Sequence, residues 1–141
     1  MHYFEAETSI EATPSDVWAV LTDAAAWPTW DSGVDAVDGR IQLDEKLTIR
    51  SHVAPERAFP VKVTELDAPQ AMTFTGGMPL GLFKGVRRYS LTGNDDGSTH
   101  FRMREEYTGV MLGMIWKSIP DLSGSFSQFA DGLKKRVESA G

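Results

Sequence analysis

The spacing of apolar residues changes three times along this chain. From His2 to Ile10 it alternates, with Phe4, Ala6, Thr8 and Ile10 on one face and Tyr3, Glu5, Glu7 and Ser9 on the other. A period of two with one apolar face predicts a half-buried strand. The period then lengthens. Thr13 stands as an N-cap, Pro14 takes a position where its missing N–H costs nothing, and Asp16 sits at the positive end of the dipole. Val17, Trp18 and Leu21 recur at helical spacing, so a helix is predicted from about Pro14 to Thr22. Trp27-Pro28-Thr29-Trp30 is short and broken by proline, which predicts only a brief second turn.

Period two then returns in segments separated by turn signals. The predicted strands are Val34–Val37, Glu45–Val53, Phe59–Leu66, Ala71–Thr75, Phe83–Thr92 and Ser98–Tyr107. The last two flank Asn94-Asp95-Asp96-Gly97, the strongest hairpin signal in the chain. From Thr108 to Gly141 the period lengthens again. Ile115, Ile119, Leu122, Phe126, Phe129, Leu133 and Val137 form one stripe of about six turns. Lys134, Lys135 and Arg136 suit its C-terminal end. A long helix with a bend near Ser118–Pro120 is expected, because Pro120 removes a backbone donor and crowds the preceding turn.

Composition narrows the function classes. The 141 residues fit one domain, 1–141, with 41% hydrophobic and 24% charged residues. A net charge of −6 and a pI near 5.0 argue against nucleic acid as a partner. The absence of cysteine removes disulfides, thiol nucleophiles and Cys-ligated zinc. His2, His52 and His100 show no metal spacing, and no phosphate-binding or serine-hydrolase motif is present, so neither metal nor cofactor is expected. The longest apolar run, Val110–Trp116, is too short to span a membrane, and the N-terminus lacks signal-peptide features. The expectation is a cytoplasmic protein, monomer or homodimer.

The element order, together with Ala12-Thr13-Pro14-Ser15-Asp16-Val17-Trp18, the Trp27/Trp30 pair, the Gly97-Ser98-Thr99 turn and Tyr107-Thr108-Gly109, resembles the START-domain and birch-pollen-allergen superfamily along the whole chain. Within this superfamily (SRPBCC), the chain looks most like the polyketide cyclase/dehydrase-like branch. The resemblance implies an α+β helix-grip fold. A seven-stranded curved antiparallel sheet would wrap a long C-terminal helix, with two short helices after strand one. It also implies a cavity between sheet and helix for a bulky hydrophobic molecule.

Strand parity then selects the cavity face. Phe101, Met103, Glu105 and Tyr107 share a face opposite His100, Arg102, Arg104 and Glu106; the first set is mostly apolar and should point inward. In the preceding strand Leu91, Tyr89 and Arg87 are the inward set. Closing the hairpin brings Arg87 across from Met103 or Glu105, a choice of register by two. An inward Arg87–Glu105 pair, with Tyr89 and Tyr107 nearby, would give the polar part of an apolar pocket. The bland alternative is a rim salt bridge, or a bulge at Arg104-Glu105-Glu106 that turns Glu105 to solvent.

The expected wall adds Phe59, Phe74, Met78 and Phe83 from the sheet and Met111, Ile115, Leu122 and Phe126 from the C-terminal segment. Met72, Met78, Met103, Met111 and Met114 suit either adaptable cavity walls or simple core filling. Gly76-Gly77-Met78-Pro79-Leu80-Gly81-Leu82 reads as an apolar loop that gates the pocket or merely connects strands. Gly113 and Gly124 fall on nearly one side of the final helix, where they admit a ligand or are simply tolerated. The tryptophans read as core and rim.

Three functions compete. The first is a carrier, sensor or sequestering protein for a lipid-, polyketide- or aromatic-like molecule. The second is a cyclase or dehydratase with Glu105 or a tyrosine such as Tyr89 as acid/base and Arg87 polarising a carbonyl. The third is a protein-interaction module like the chaperone-ATPase activators. Binding is the favoured reading.

Overall fold

The computed structural model describes residues 2–52 and 54–140. Seven strands, β1 (His2–Ile10), β2 (Val34–Asp38), β3 (Lys46–Ser51), β4 (Ala54–Asp67), β5 (Ala71–Met78), β6 (Phe83–Gly93) and β7 (Thr99–Thr108), form one antiparallel sheet. Their order is β1-β7-β6-β5-β4-β3-β2, so neighbours in sequence pair as hairpins except at β1. That strand lies against β7 at one edge. Helix α1 (Pro14–Leu21) and a 3-10 turn at Ala24–Thr29 then carry the chain to the opposite edge. Helix α2 (Leu112–Ile115) and a 3-10 turn at Trp116–Ser118 precede the long helix α3 (Ser123–Ala140), which packs on β1, α1 and β7. This is the helix-grip α+β architecture.

Local chemistry explains the joints. The Thr13 hydroxyl accepts a 3.3 Å bond from Asp16 N, and Pro14 starts α1. In the β6–β7 turn, Asp96 Oδ1 accepts from both N and Oγ of Ser98, which closes the hairpin. Thr99 Oγ1 donates to Ala12 O at 2.7 Å and ties that hairpin to the start of α1. Trp27 is 1% exposed, donates through Nε1 to Leu21 O, and meets Phe129 edge-on at 5.0 Å. The first tryptophan turn is therefore a wedge between sheet and α3.

The ladder overrides some local breakers. β4 begins before the expected Phe59 and includes Pro60, paired with Thr48; β5 continues past Thr75 through Gly76-Gly77 to Met78. Partners already in place recruit residues whose own propensity for strand is low. Of the strand expected at Glu45–Val53, Lys46–Ser51 forms β3, and Val53 lies outside the described residues, as does Gly141 at the end of the expected helix.

The expected bend near Ser118–Pro120 is a break. Ile119 is extended, with φ −82° and ψ 125°, because a residue before proline is pushed out of the helical region. The stripe is thus divided. Leu122, Phe126, Phe129, Leu133 and Val137 are buried under or along α3, whereas Ile115 and Ile119 belong to a separate half-buried segment. Asp121 Oδ1 accepts from Ser123 N at 3.0 Å and restarts the helix.

Candidate ligand cavity

Between the inner face of the sheet and α3 lies a cavity of about 290 Å³. It draws Ser32, Val34, Ile49 and Ser51 from one side and Phe59, Pro60, Val61 and Phe74 from the middle strands. Phe83, Arg87, Met103, Glu105 and Tyr107 come from β6 and β7; Ile119, Pro120, Leu122, Ser125, Phe126 and Phe129 come from the helical side. Gly76, Gly77 and Gly85 complete the lining. The walls are mainly hydrocarbon and aromatic, and among the described residues Arg87 and Glu105 are the only charged ones that line it.

Register decides how those two charges meet. The β6–β7 ladder runs without interruption from Lys84↔Thr108 to Gly93↔Thr99, which sets Arg87 directly opposite Glu105 and Tyr89 opposite Met103. Without a bulge, Glu105 stays on the face of Phe101 and Met103, and the pair points inward. Arg87 Nη2 donates to Glu105 Oε1 at 3.0 Å, with side-chain exposures of 24% and 13%. Tyr107 donates its hydroxyl to the same oxygen at 2.6 Å. The Arg87 guanidinium also lies over the Phe126 ring, 4.6 Å from its centroid, which fixes its plane against α3.

The second carboxylate oxygen is different. Among the described residues no hydrogen bond reaches Glu105 Oε2. It lies over Gly85, where a Cβ would come within 3.0 Å of it. Glycine at 85 leaves that oxygen room, so the site presents an open acceptor beside a guanidinium that still has donors to offer.

Burial works against the Arg87 charge, but Glu105 together with the Tyr89 and Tyr107 phenols outweighs that cost, and its pKa moves further up. Burial, reinforced by the Glu105 carboxylate, pushes the Tyr107 hydroxyl far above the ordinary tyrosine value. Tyr89 is pushed up by burial as well, with Arg87 opposing. Both phenols therefore remain protonated at neutral pH.

Nine residues of the expected wall line the cavity: Phe59, Phe74, Phe83, Arg87, Met103, Glu105, Tyr107, Leu122 and Phe126. Five do not. Tyr89 is 1% exposed and packs among Trp27, Phe74, Phe101 and Phe129, so it is solid core next to the cavity. Geometry assigns its hydroxyl no hydrogen bond, and the Arg87 guanidinium acts on it through its charge. Phe101 is buried in the same core. Met78, at the tip of the β5–β6 hairpin opposite Phe83, is 41% exposed because the strand runs past the end of the cavity. Met111 and Ile115 lie ahead of the helix break at Ile119–Pro120 and do not line the cavity. Gly113 and Gly124 face open space.

The β2–β3 side of the wall was absent from the sequence-derived set. The parity argument used for β7, applied to Leu47, Ile49 and Ser51 and to Phe59, Val61 and Val63, picks out Ile49, Ser51 and Val61 as well. Ser32 and Ser125 carry no sequence signal, because a lone serine looks the same in a loop, a helix or a pocket.

A curved sheet gripping a helix over a mainly apolar cavity defines the helix-grip class of folds. The chain belongs to the family described as polyketide cyclase / dehydrase and lipid transport, whose model matches residues 1–138. No curated protein matches it in sequence. The fold is similar to that of a START superfamily protein from Mycobacterium smegmatis, with a TM-score of 0.72, 14% identity and 100% of both chains covered. It is also similar to a norcoclaurine synthase point mutant from Thalictrum flavum, solved with a transition state analogue (TM-score 0.70, 15% identity, 99% of this chain and 95% of that one). A third similar structure is the di-domain ARO/CYC BexL of a biosynthetic pathway (TM-score 0.71, 18% identity), matched over 98% of this chain and 47% of that one. At such identities the likeness is one of fold.

Proposed function

We propose that the protein binds a compact hydrophobic molecule in this cavity as a carrier, sensor or sequestering protein. A hydroxyl or amine of the ligand donates to Glu105 Oε2, and a neighbouring acceptor takes a bond from Arg87. The observation that carries this reading is the inward Arg87–Glu105–Tyr107 cluster within a cavity whose remaining walls are mainly apolar. Burying such a pair is costly unless its remaining bonds are used, and a ligand's polar group would use them. The volume lies at the lower end of the roughly 300–1,000 Å³ typical of ligand pockets, which favours one or two fused rings over a long chain.

Binding ranks above cyclase or dehydratase chemistry because it needs only the cavity and its polar cluster, and a tyrosine base is disfavoured where burial pushes both phenols further above the neutral range. Titration with naphthalene and 2-naphthol, followed by ligand fluorescence, separates the parts of the proposal. 2-Naphthol should bind about tenfold or more tightly than naphthalene, and the Arg87→Met/Glu105→Leu double variant should erase that difference. If neither compound binds, and native mass spectrometry of the purified protein shows no retained molecule, the reading is wrong.

A further inference from the structure

The outer face of the β6–β7 hairpin, behind the cavity, holds a second concavity. Outward-facing residues of both strands enclose an open groove of about 740 Å³, with Val86 and Ser90 set between the longer Lys84, Arg88, Arg102 and Arg104. Glu106 is the one carboxylate in that lining, so four cations face one anion on a protein that carries −6 overall. The ladder sets Arg88 directly opposite Arg104, and Ser90 opposite Arg102. Like charges directly opposite one another on neighbouring strands work against the sheet, so folding alone gives no reason for the Arg88–Arg104 placement.

The neighbouring carboxylates hold the groove open. Glu65 of β4 accepts from Arg88 Nε at 3.0 Å and draws that guanidinium over β5, while Glu5 of β1 holds Arg102 and Arg104 from the other side. The Arg104 guanidinium lies over the Tyr3 ring, 3.8 Å from its centroid, which fixes its plane. Among the described residues no hydrogen bond reaches Nη1 of Arg88 or Nη1 of Arg102. Both side chains are about half exposed, and ion pairs so exposed hold little energy, so an incoming anion gives up little by sharing these arginines. A phosphate group brings three terminal oxygens and close to two charges at neutral pH, which suits three guanidiniums drawn from two strands; a carboxylate brings two oxygens and one charge.

We propose that this outer groove binds a phosphate group, free or carried by a small ester, between Arg88, Arg102 and Arg104. An ester's organic part then lies over Val86 toward Lys84, which stands four residues, about 13 Å, along the strand from Arg88. The site is distinct from the cavity, because the two are built from opposite faces of the same strands.

The test is isothermal titration calorimetry at pH 7.5 and fixed ionic strength, with inorganic phosphate, glycerol 3-phosphate and glycerol as probes. Both phosphates should bind with a Kd of roughly millimolar or lower, and glycerol should not bind. A Kd about tenfold lower for glycerol 3-phosphate assigns the groove to an ester, and equal values assign it to free phosphate; either supports the proposal. Arg88→Gln/Arg102→Gln should weaken binding about tenfold or more with circular dichroism unchanged. Arg88→Lys/Arg102→Lys keeps the charges but loses the planar forks, and should recover only part of that loss. Ser90→Phe, which fills the floor without removing a charge, should abolish binding. Failure of both phosphates to bind overturns the proposal, as does full affinity in the Arg88→Gln/Arg102→Gln or the Ser90→Phe variant. A self-associating protein that Arg88→Gln/Arg102→Gln renders monomeric, with no phosphate bound, would assign the groove to a second copy of the chain and likewise overturn it. Phosphate binding is read without any cavity ligand. A protein that binds phosphate but ignores 2-naphthol refutes the ligand reading and leaves the groove standing.

Discussion

Arg87 and Glu105 illustrate how two side chains can be worth more as a pair than either is alone. Arg87→Met strands a carboxylate in an apolar cavity and should cost about 3 kcal/mol in urea denaturation, whereas Arg87→Met/Glu105→Leu should cost less than the sum of the two single changes. Additive values would mean that solvent already screens the pair. Tyr107 supplies a separate prediction. Its folded pKa is raised above the ordinary 10.0, so its contribution is fully present below pH 10 and lost as pH rises toward the folded value. The urea midpoint should therefore fall as pH is raised above about 10. Tyr107→Phe should flatten that fall; Tyr89, raised in the same direction, leaves a residue of it.

At the scale of elements, α3 and the chain after the first tryptophan turn meet backbone to backbone. Gly132 sits against the backbone of Asp31, where any Cβ would overlap its carbonyl, and the Trp30 ring lies 3.3 Å from the same point. An alanine inside a helix ordinarily gains about 1 kcal/mol over glycine. Here Gly132→Ala should instead destabilise by roughly 1–3 kcal/mol, because the helix must move off the turn. A gain in thermal midpoint would disprove this packing. No sequence pattern marks Gly132, since the Cβ it lacks would meet a residue about a hundred positions away. Pro120 was legible as an interruption but its consequence was not. Whether a helix kinks or breaks depends on what the freed segment packs against, here the Trp116 ring stacked 4.2 Å from His2 and 5.5 Å from Phe4.

For the whole molecule, charge is organised by face. On the outer surface of the sheet Glu5 binds Arg102 and Arg104, and Glu65 binds Arg88. Burial opposes the ionised form of Glu5, but the arginine bonds outweigh it and hold its pKa down; hydrogen bonds from Arg88 and Thr73 lower that of Glu65. Groups lowered in this way stabilise the fold above the ordinary value of 4.5 and lose that contribution as pH falls. The thermal midpoint should thus decline below about pH 4.5, and Glu65→Gln should shallow the decline. Among the described residues no helix is long and apolar enough to cross a membrane.

Elements and faces were readable because they depend on neighbours in the chain. Period two placed Arg87, Met103, Glu105 and Tyr107 on inward faces, and the Asn94–Gly97 signal located the hairpin that joins them. The choice between Met103 and Glu105 as the partner of Arg87 required the ladder itself, since parity is blind to a shift of two. Where a cavity ends is likewise a property of the assembled walls. Tyr89 and Phe101 share the inward face with Arg87 and Glu105 but are sealed by Trp27 and Phe129, which arrive from distant parts of the chain. The sequence alone determined which side chains turn toward the helix, because backbone pleating sets that from one residue to the next. Only tertiary structure decided which of them meet empty space and which meet other side chains, because packing is settled among residues far apart in the chain.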